Sequence, residues 1–341
     1  MPFAPSSVAA HPMASSPAAQ SPTAIAMIRP HQFSPNPATL PDNTFQTRPT
    51  MDPTQLAARA YGEVTAMAQR LEGAGIEVHL FEDTTGVTPD SVFPNNWLST
   101  HAGGDLVLYP MAVANRRRER RTDILASLRH QFRVSSIVDY SVLEDDDYYL
   151  EGTGVMVLDR VNRFAYVCRS HRVSPQALAA FCRDFRYHPV LFDALDRTGR
   201  PIYHTNVMMS VGAHLALVGF DTMPEAADRD AVRGQLQDSG HHVVALTLEQ
   251  IESFAGNAFE VVGPDGPRTV MSTTAHASLR PDQREMIDAI APIIAVDVPT
   301  IELAGGSARC MIVGLHLDAR TSPTLAPTPS VIDLGADPKE S

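Results

Sequence analysis

Leu150-Glu151-Gly152-Thr153-Gly154, followed by the apolar runs Val155–Leu158 and Phe164–Cys168, is the stretch on which the fold turns. A polar motif with two glycines leads into two short runs whose length and side chains suit paired strands. Ser174–Phe185 comes next and reads as a helix, opened by the start pair Ser174-Pro175. Pro189–Phe192 then reads as a further strand.

The same order recurs along the chain. Helices are expected at Asp52–Leu71, Arg118–Phe132, Ser174–Phe185, Pro224–Gln237 and Arg280–Ala291. Each leads to a β-rich segment, at Ile76–Phe81, Val134–Asp139, Pro189–Phe192, His242–Leu248 and Ile293–Val298. A polar motif follows each time: Asp90–Asn96, Glu151–Gly154, His204–Asn206, Ala255–Asn257 and Gly305–Cys310. In the first four units a strand-like pair comes after the motif. A period of roughly 50 to 65 residues is that of an array. Five such units closed in a ring would bring five polar motifs to one centre. An ordinary mixed α/β sheet is the alternative that the periodicity leaves open.

Bulk composition narrows the function. A net charge of −12 argues against non-specific binding to nucleic acid or anionic membranes. No apolar run approaches the roughly 18 residues of a membrane span. Residues 1–23 are rich in Ala, Pro and Ser, with no basic start and no apolar core of a signal peptide, so they read as disordered. Residues 24–318 would form one catalytic domain, and 319–341 a proline-rich flexible tail. Three cysteines, Cys168, Cys182 and Cys310, make no metal-type CxxC pair and point to a reducing, cytoplasmic compartment.

Cys310 follows Gly305-Gly306 and precedes the apolar run Met311–Leu315, a way to present a thiol at the mouth of a strand. Most free cysteines are inert, buried hydrophobes, so its company decides. Thiol chemistry needs a proton shuttle and a group to orient it; His204 and Glu151 supply those types. Asp90, Asn95, Asn96 and Asn206 offer hydrogen bonds to a small polar substrate. The run Arg116–Arg121 suits a solvated helix start, or an arginine clamp for a substrate carboxylate.

Four of these motifs together resemble the guanidine-modifying, or amidinotransferase, superfamily, which includes arginine deiminases and dimethylarginine hydrolases. They are Pro89–Trp97, Leu150–Gly154, Tyr203–Asn206 and Gly305–Met311. The branch they resemble most is the citrulline-utilisation hydrolase (CtlX type, arginine deiminase-related). The resemblance covers roughly residues 24 to 318. It implies a five-bladed α/β propeller, the pentein fold, with pseudo-fivefold repeats around a central active-site channel. It also implies Cys310 as nucleophile, His204 as general acid/base and Glu151 as the active-site carboxylate. Arg116 matches an arginine that holds the substrate α-carboxylate, with the choice within Arg116–Arg118 open, and Arg172 matches a second. No cofactor or metal is implied.

Departures from that pattern bear on the substrate. Arginine-acting members usually have acids where this chain has Asn96 and Asn206, and often a further Glu at Asn95. They commonly have Glu-Gly-Gly-Asp in place of Glu151-Gly152-Thr153-Gly154. An asparagine amide satisfies a neutral ureido group without adding an unpaired charge. The expectation is therefore hydrolysis of citrulline to ornithine, ammonia and carbon dioxide. An arginine deiminase or dimethylarginine hydrolase is the alternative, and a non-catalytic propeller that binds macromolecules is a second. The partner is a small amino acid, not nucleic acid or membrane, and a homodimer is left open.

Overall fold

In the computed structural model, which describes residues 20–320, the chain folds into five three-stranded sheets built to one plan. The first joins β1 (Ala24–Pro30) and β2 (Glu77–Asp83) to β15 (Val313–Leu315). The second holds β3 (Leu98–His101), β4 (Asp105–Leu108) and β5 (Ser136–Asp139). The third holds β6 (Val157–Asp159), β7 (Phe164–Cys168) and β8 (His188–Phe192). Next come β9 (Met209–Val211), β10 (Leu215–Val218) and β11 (His242–Ala245). The last holds β12 (Phe259–Gly263), β13 (Gly266–Ser272) and β14 (Ile293–Val296).

In every sheet the middle strand pairs antiparallel with an inner strand and parallel with an outer one. A parallel neighbour requires a crossover. Each crossover carries a helix: α1 (Pro53–Gly73), α2 (Thr122–Gln131), α3 (Pro175–Phe185), α4 (Ala226–Asp238) and α5 (Pro281–Ile290). α1 shows how local chemistry sets these helices. Asp52 caps the backbone N–H groups of Thr54 and Gln55, and Pro53 fills the first turn, where no donor is needed. Leu56, Ala60, Val64, Met67, Ala68 and Leu71 then recur on one buried face.

The units follow one another round a ring. β15 lies against β3, the helical turn Gly152–Val155 touches both β3 and β6, β6 meets β9, and β9 meets β12. α1 contacts β14, joining the last unit to the first. Burial follows the same geometry: β3 is buried at all four positions, whereas β5 is largely exposed. This is the five-bladed α/β propeller, with the inner strands and the motifs that precede them at its centre.

Some sequence expectations shift. The fifth unit lacked a strand pair because its middle strand, β1, comes from the other end of the chain. Within the stretch read as disordered, Gln20 and Ser21 are packed instead. The Gln20 amide donates to Leu158 O and Val211 O, tying two units together, and Ser21 donates to Glu260. At the other end Ala319 bridges to Phe132. The remaining terminal expectations, for residues 1–19 and 321–341, lie outside the described residues. The helix expected from Arg118 begins only at Thr122. Before it, Ala114–Glu119 forms a tight 3-10 turn that brings Arg116 and Glu119 inward as a buried pair, so this run is not a solvated helix start. The strand expected over His242–Leu248 ends at Ala245, because Thr247 and Gln250 form a reciprocal cap on a short helix, Leu248–Glu252.

Candidate active site

Each polar motif stands at the entrance to an inner strand. Asn96 ends a 3-10 turn before β3, Glu151 and His204 cap the helical turns before β6 and β9, Asn257 precedes β12, and Cys310 lies in the turn Ala308–Met311 before β15. Two glycines make this close approach sterically feasible. Gly152 has φ +48°, and a side chain there would strike the backbone carbonyls of Asn95 and Asn96. A side chain at Gly154 would collide with the Asn96 amide and the His204 ring.

Cys310 is buried, and its sulfur is met by two amides. Asn257 Nδ2 donates at 3.2 Å and Asn206 Nδ2 at 3.4 Å. Asn257 is itself held in place, accepting from the backbone N–H of Arg309 at 3.0 Å and donating to Asn206 O at 2.8 Å. The two amides thus hold the sulfur in place from two other units of the ring.

His204 Nε2 lies 2.7 Å from Glu151 Oε2. Burial holds His204 below its ordinary value; the Glu151 carboxylate opposes that shift, and Arg172 and Arg116 add to it. Burial works against charge on Glu151 too. Arg172, at 2.9 Å, with His204 and Arg116, nonetheless holds its carboxyl well below the usual range. The pair is therefore a neutral imidazole donating from Nε2 to a carboxylate, which leaves Nδ1 free to take or give a proton. The backbone N–H of Ala112 also donates to Glu151, at 3.1 Å.

Arg116 serves three carboxylates. It makes a two-pronged contact with Glu119 at 2.9 Å, lies 3.5 Å from Asp90 and 3.8 Å from Glu151, and donates to Asn96 Oδ1 at 2.9 Å. One guanidinium does not satisfy all three. Burial pushes Glu119 up to about 7 and raises Asp90, and the neighbouring carboxylates add to both effects. Among the described residues Asp90 Oδ1 and Asn96 Nδ2 have no hydrogen-bond partner, an acceptor and a donor at the pocket. Both arginines expected to hold a substrate carboxylate already have protein partners. A substrate would have to displace Glu119 from Arg116, or Asp42 from Arg172 at 2.6 and 2.8 Å.

Cys310, His204, Asp90, Asn96, Arg116 and Arg172 line one pocket. Glu151 and Asn206 stand one hydrogen bond behind it. Asn95 does not join them: its side chain is buried without a partner and off the pocket wall. The free space is about 20 Å³, room for roughly one water. Thr39 and Asn43, from the irregular segment 31–52 between β1 and α1, complete the wall. That segment is fastened by Asn36 to Asp90 at 2.8 Å, Asp42 to Arg172, and Asn43 to Ala304 O at 3.1 Å.

Sequence reasoning missed the segment 31–52, Glu119 and the role of Asn257. The first had a signal, since a structureless loop of that length inside a compact chain is usually functional. Asn257 had one also, as the polar residue of the fourth recurring motif. Among the described residues no cluster of three or more His, Cys, Asp or Glu side chains has the arrangement of a metal site. No described helix is long and apolar enough to cross a membrane.

The model of a family described as N,N dimethylarginine dimethylhydrolase, eukaryotic, matches residues 29–317. The N-terminal domain of ArgZ, an arginine dihydrolase from the ornithine-ammonia cycle in Cyanobacteria, solved with its substrate, is similar in fold. The TM-score is 0.64 at 15% identity, over 85% of this chain and 97% of that one. A dimethylarginine dimethylaminohydrolase adduct with S-methyl-L-thiocitrulline is similar with a TM-score of 0.57 at 17% identity, over 85% and 98% of the two chains. No curated protein sequence matches the chain.

Proposed function

The chain belongs to the N,N-dimethylarginine dimethylhydrolase family, a family of hydrolases acting on carbon–nitrogen bonds, and on that premise we propose that it cleaves the guanidino group of an arginine-type amino acid. In this reading the Cys310 thiol passes its proton to His204 Nδ1 as its sulfur attacks the central guanidino carbon and forms a C–S bond. A C–N bond breaks, and the departing nitrogen takes its proton from His204. The imidazole then removes a proton from water, which attacks the same carbon. The C–S bond breaks, the thiolate returns, and a ureido product remains. Glu151 keeps the imidazole oriented, Asp90 accepts from guanidinium N–H groups, and Asn206 and Asn257 hold the sulfur.

The observation that carries the choice of substrate is the charge balance. Among the described residues Asp90, Glu119 and Glu151 share Arg116, Glu151 and Asp42 share Arg172, and His204 and His171 also meet Glu151 and Asp42, so four carboxyl groups stand against two guanidiniums. A cationic guanidinium relieves that excess, and a neutral ureido group does not. The expectation drawn from Asn96 and Asn206 weighed the amides alone and left out Asp90's neighbours. The matched family is likewise named for a guanidino substrate, not for the citrulline branch.

Citrulline hydrolysis stands as a second reading because the amides of Asn96 and Asn206 suit a ureido group. A site that performs both steps in turn would be an arginine dihydrolase, the activity named for ArgZ. The test is a panel of arginine, methylated arginines, agmatine and citrulline, with citrulline, ornithine, ammonia and alkylamine all measured. The proposal predicts higher kcat/KM on a guanidino compound than on citrulline. Turnover of citrulline alone would overturn it in favour of the second reading. All three cysteines are free thiols, and we place the enzyme in the reducing cytoplasm on that basis.

A further inference from the structure

Four inner strands run from their polar motif to a hairpin turn, and β15 runs the same way from Cys310 to His316, so these ends mark the side of the ring opposite Cys310. At that end lies a larger pocket, of about 340 Å³. His101 closes β3, Arg160 and Arg163 lie in the turn between β6 and β7, and His316 and Asp318 follow β15. Tyr187, just before β8, completes the wall.

Arg160 is the anomaly. Its Nη1 donates to Thr100 O at 3.1 Å and sits 3.5 Å from His101 Nδ1. Its Nε and Nη2 donate to no described residue, and no described carboxylate lies within ion-pair distance of Arg160 or Arg163. Arg160 is half-buried, and burying a guanidinium without a counter-charge costs free energy, so such groups are normally paired. Burial accordingly lowers the proton affinity of Arg160 and of the two histidines, and Arg160 depresses both histidines further.

A second observation is independent of charge. Tyr187 is only 4% exposed, and its hydroxyl has no hydrogen-bond partner among the described residues. The Arg163 guanidinium lies over its ring, 5.3 Å from the centroid. The nearby acids do not balance the arginines. Asp318 is exposed, and Asp159 is engaged by Asn162 through both oxygens, at 2.8 and 2.9 Å. Two unpaired guanidiniums thus face one pocket in a chain whose net charge is −12.

We propose that this pocket is a binding site for a small oxyanion of the phosphate class, separate from the Cys310 site. Arginine forks match phosphate oxygens two at a time, and one dianion neutralises both guanidiniums. The Tyr187 hydroxyl adds a neutral donor.

Titration of the full chain with inorganic phosphate, followed by calorimetry and by phosphorus NMR, tests this. The expected result is saturable binding at or below ~10 mM, unchanged by Cys310→Ala. Arg163→Ala and Tyr187→Phe should each weaken it roughly fivefold or more, while turnover in phosphate-free buffer stays within about twofold. Arg163 is exposed and Tyr187→Phe removes only an oxygen, so both variants should fold, and circular dichroism checks that they do. Absence of binding, equal binding by both folded variants, or loss of binding in Cys310→Ala would overturn the proposal.

Discussion

In the proposed mechanism the reactivity of Cys310 depends on an amide in another unit of the ring. Asn257 donates to the sulfur at 3.2 Å and is braced by the Arg309 backbone. Asn257→Ala should lower kcat roughly 10²-fold with little change in KM, as loss of an oriented donor to a developing charge does. It should also slow alkylation by iodoacetamide at pH 7. An unchanged alkylation rate would mean that the amide only packs against the thiol. Glu119 offers a pH test. Its ordinary value is 4.5 and the folded value about 7, so the folded protein binds this proton more tightly than the unfolded chain. Stability from this group is therefore greatest below pH 4.5, declines as pH rises to about 7, and is level above. Glu119→Gln should flatten the urea midpoint across that window, measured from pH 4.5 to 8. Cys310, His204 and Glu151 were legible in the sequence because their chemistry is carried by residue type. Asn257 and Glu119 were not, since an asparagine or glutamate acquires its role from what the fold sets beside it.

At the scale of elements, the segment 31–52 matters most. It lines the pocket through Thr39 and Asn43, where the free space is about 20 Å³, and the proposed function therefore expects it to shift when a substrate binds. Its main charged fastening is Asp42, pulled down to about 2 by His171 and Arg172 against the effect of its burial. Asp42→Ala should speed amide hydrogen exchange across 31–52 at neutral pH while leaving α1 as protected as in the native chain. Equal exchange would show that Asn36 and Asn43 hold the segment without Asp42. The regular elements were largely readable. α1 announces itself through Asp52-Pro53 and its spaced apolar residues, whereas the false start of α2 arose because Arg116 and Glu119 are drawn inward. β1 was hidden for a topological reason: it completes a sheet begun at the far end of the chain.

Across the whole molecule, the ring converts five separate polar motifs into one site. The period of the sequence pointed to this ring beside an ordinary mixed sheet, and the family resemblance chose between them. Neither showed the charge of the site. The two substituted asparagines suggested a neutral substrate, while the folded site gathers four carboxylates around two arginines. Glu151→Gln tests how tightly this network is coupled. It should cut kcat by at least ~10²-fold and cost about 3–5 kcal/mol in urea unfolding, because Arg172 loses its buried counter-charge. A variant as stable as the native chain would show that Arg172 finds full compensation in Asp42. The most direct measurement of the central claim is acid-quenched intact-protein and peptide mass spectrometry during turnover of an arginine-type substrate. The account predicts a covalent adduct on the Cys310 peptide of the native enzyme, with neither adduct nor turnover in Cys310→Ala. Turnover that persists in Cys310→Ala would contradict it.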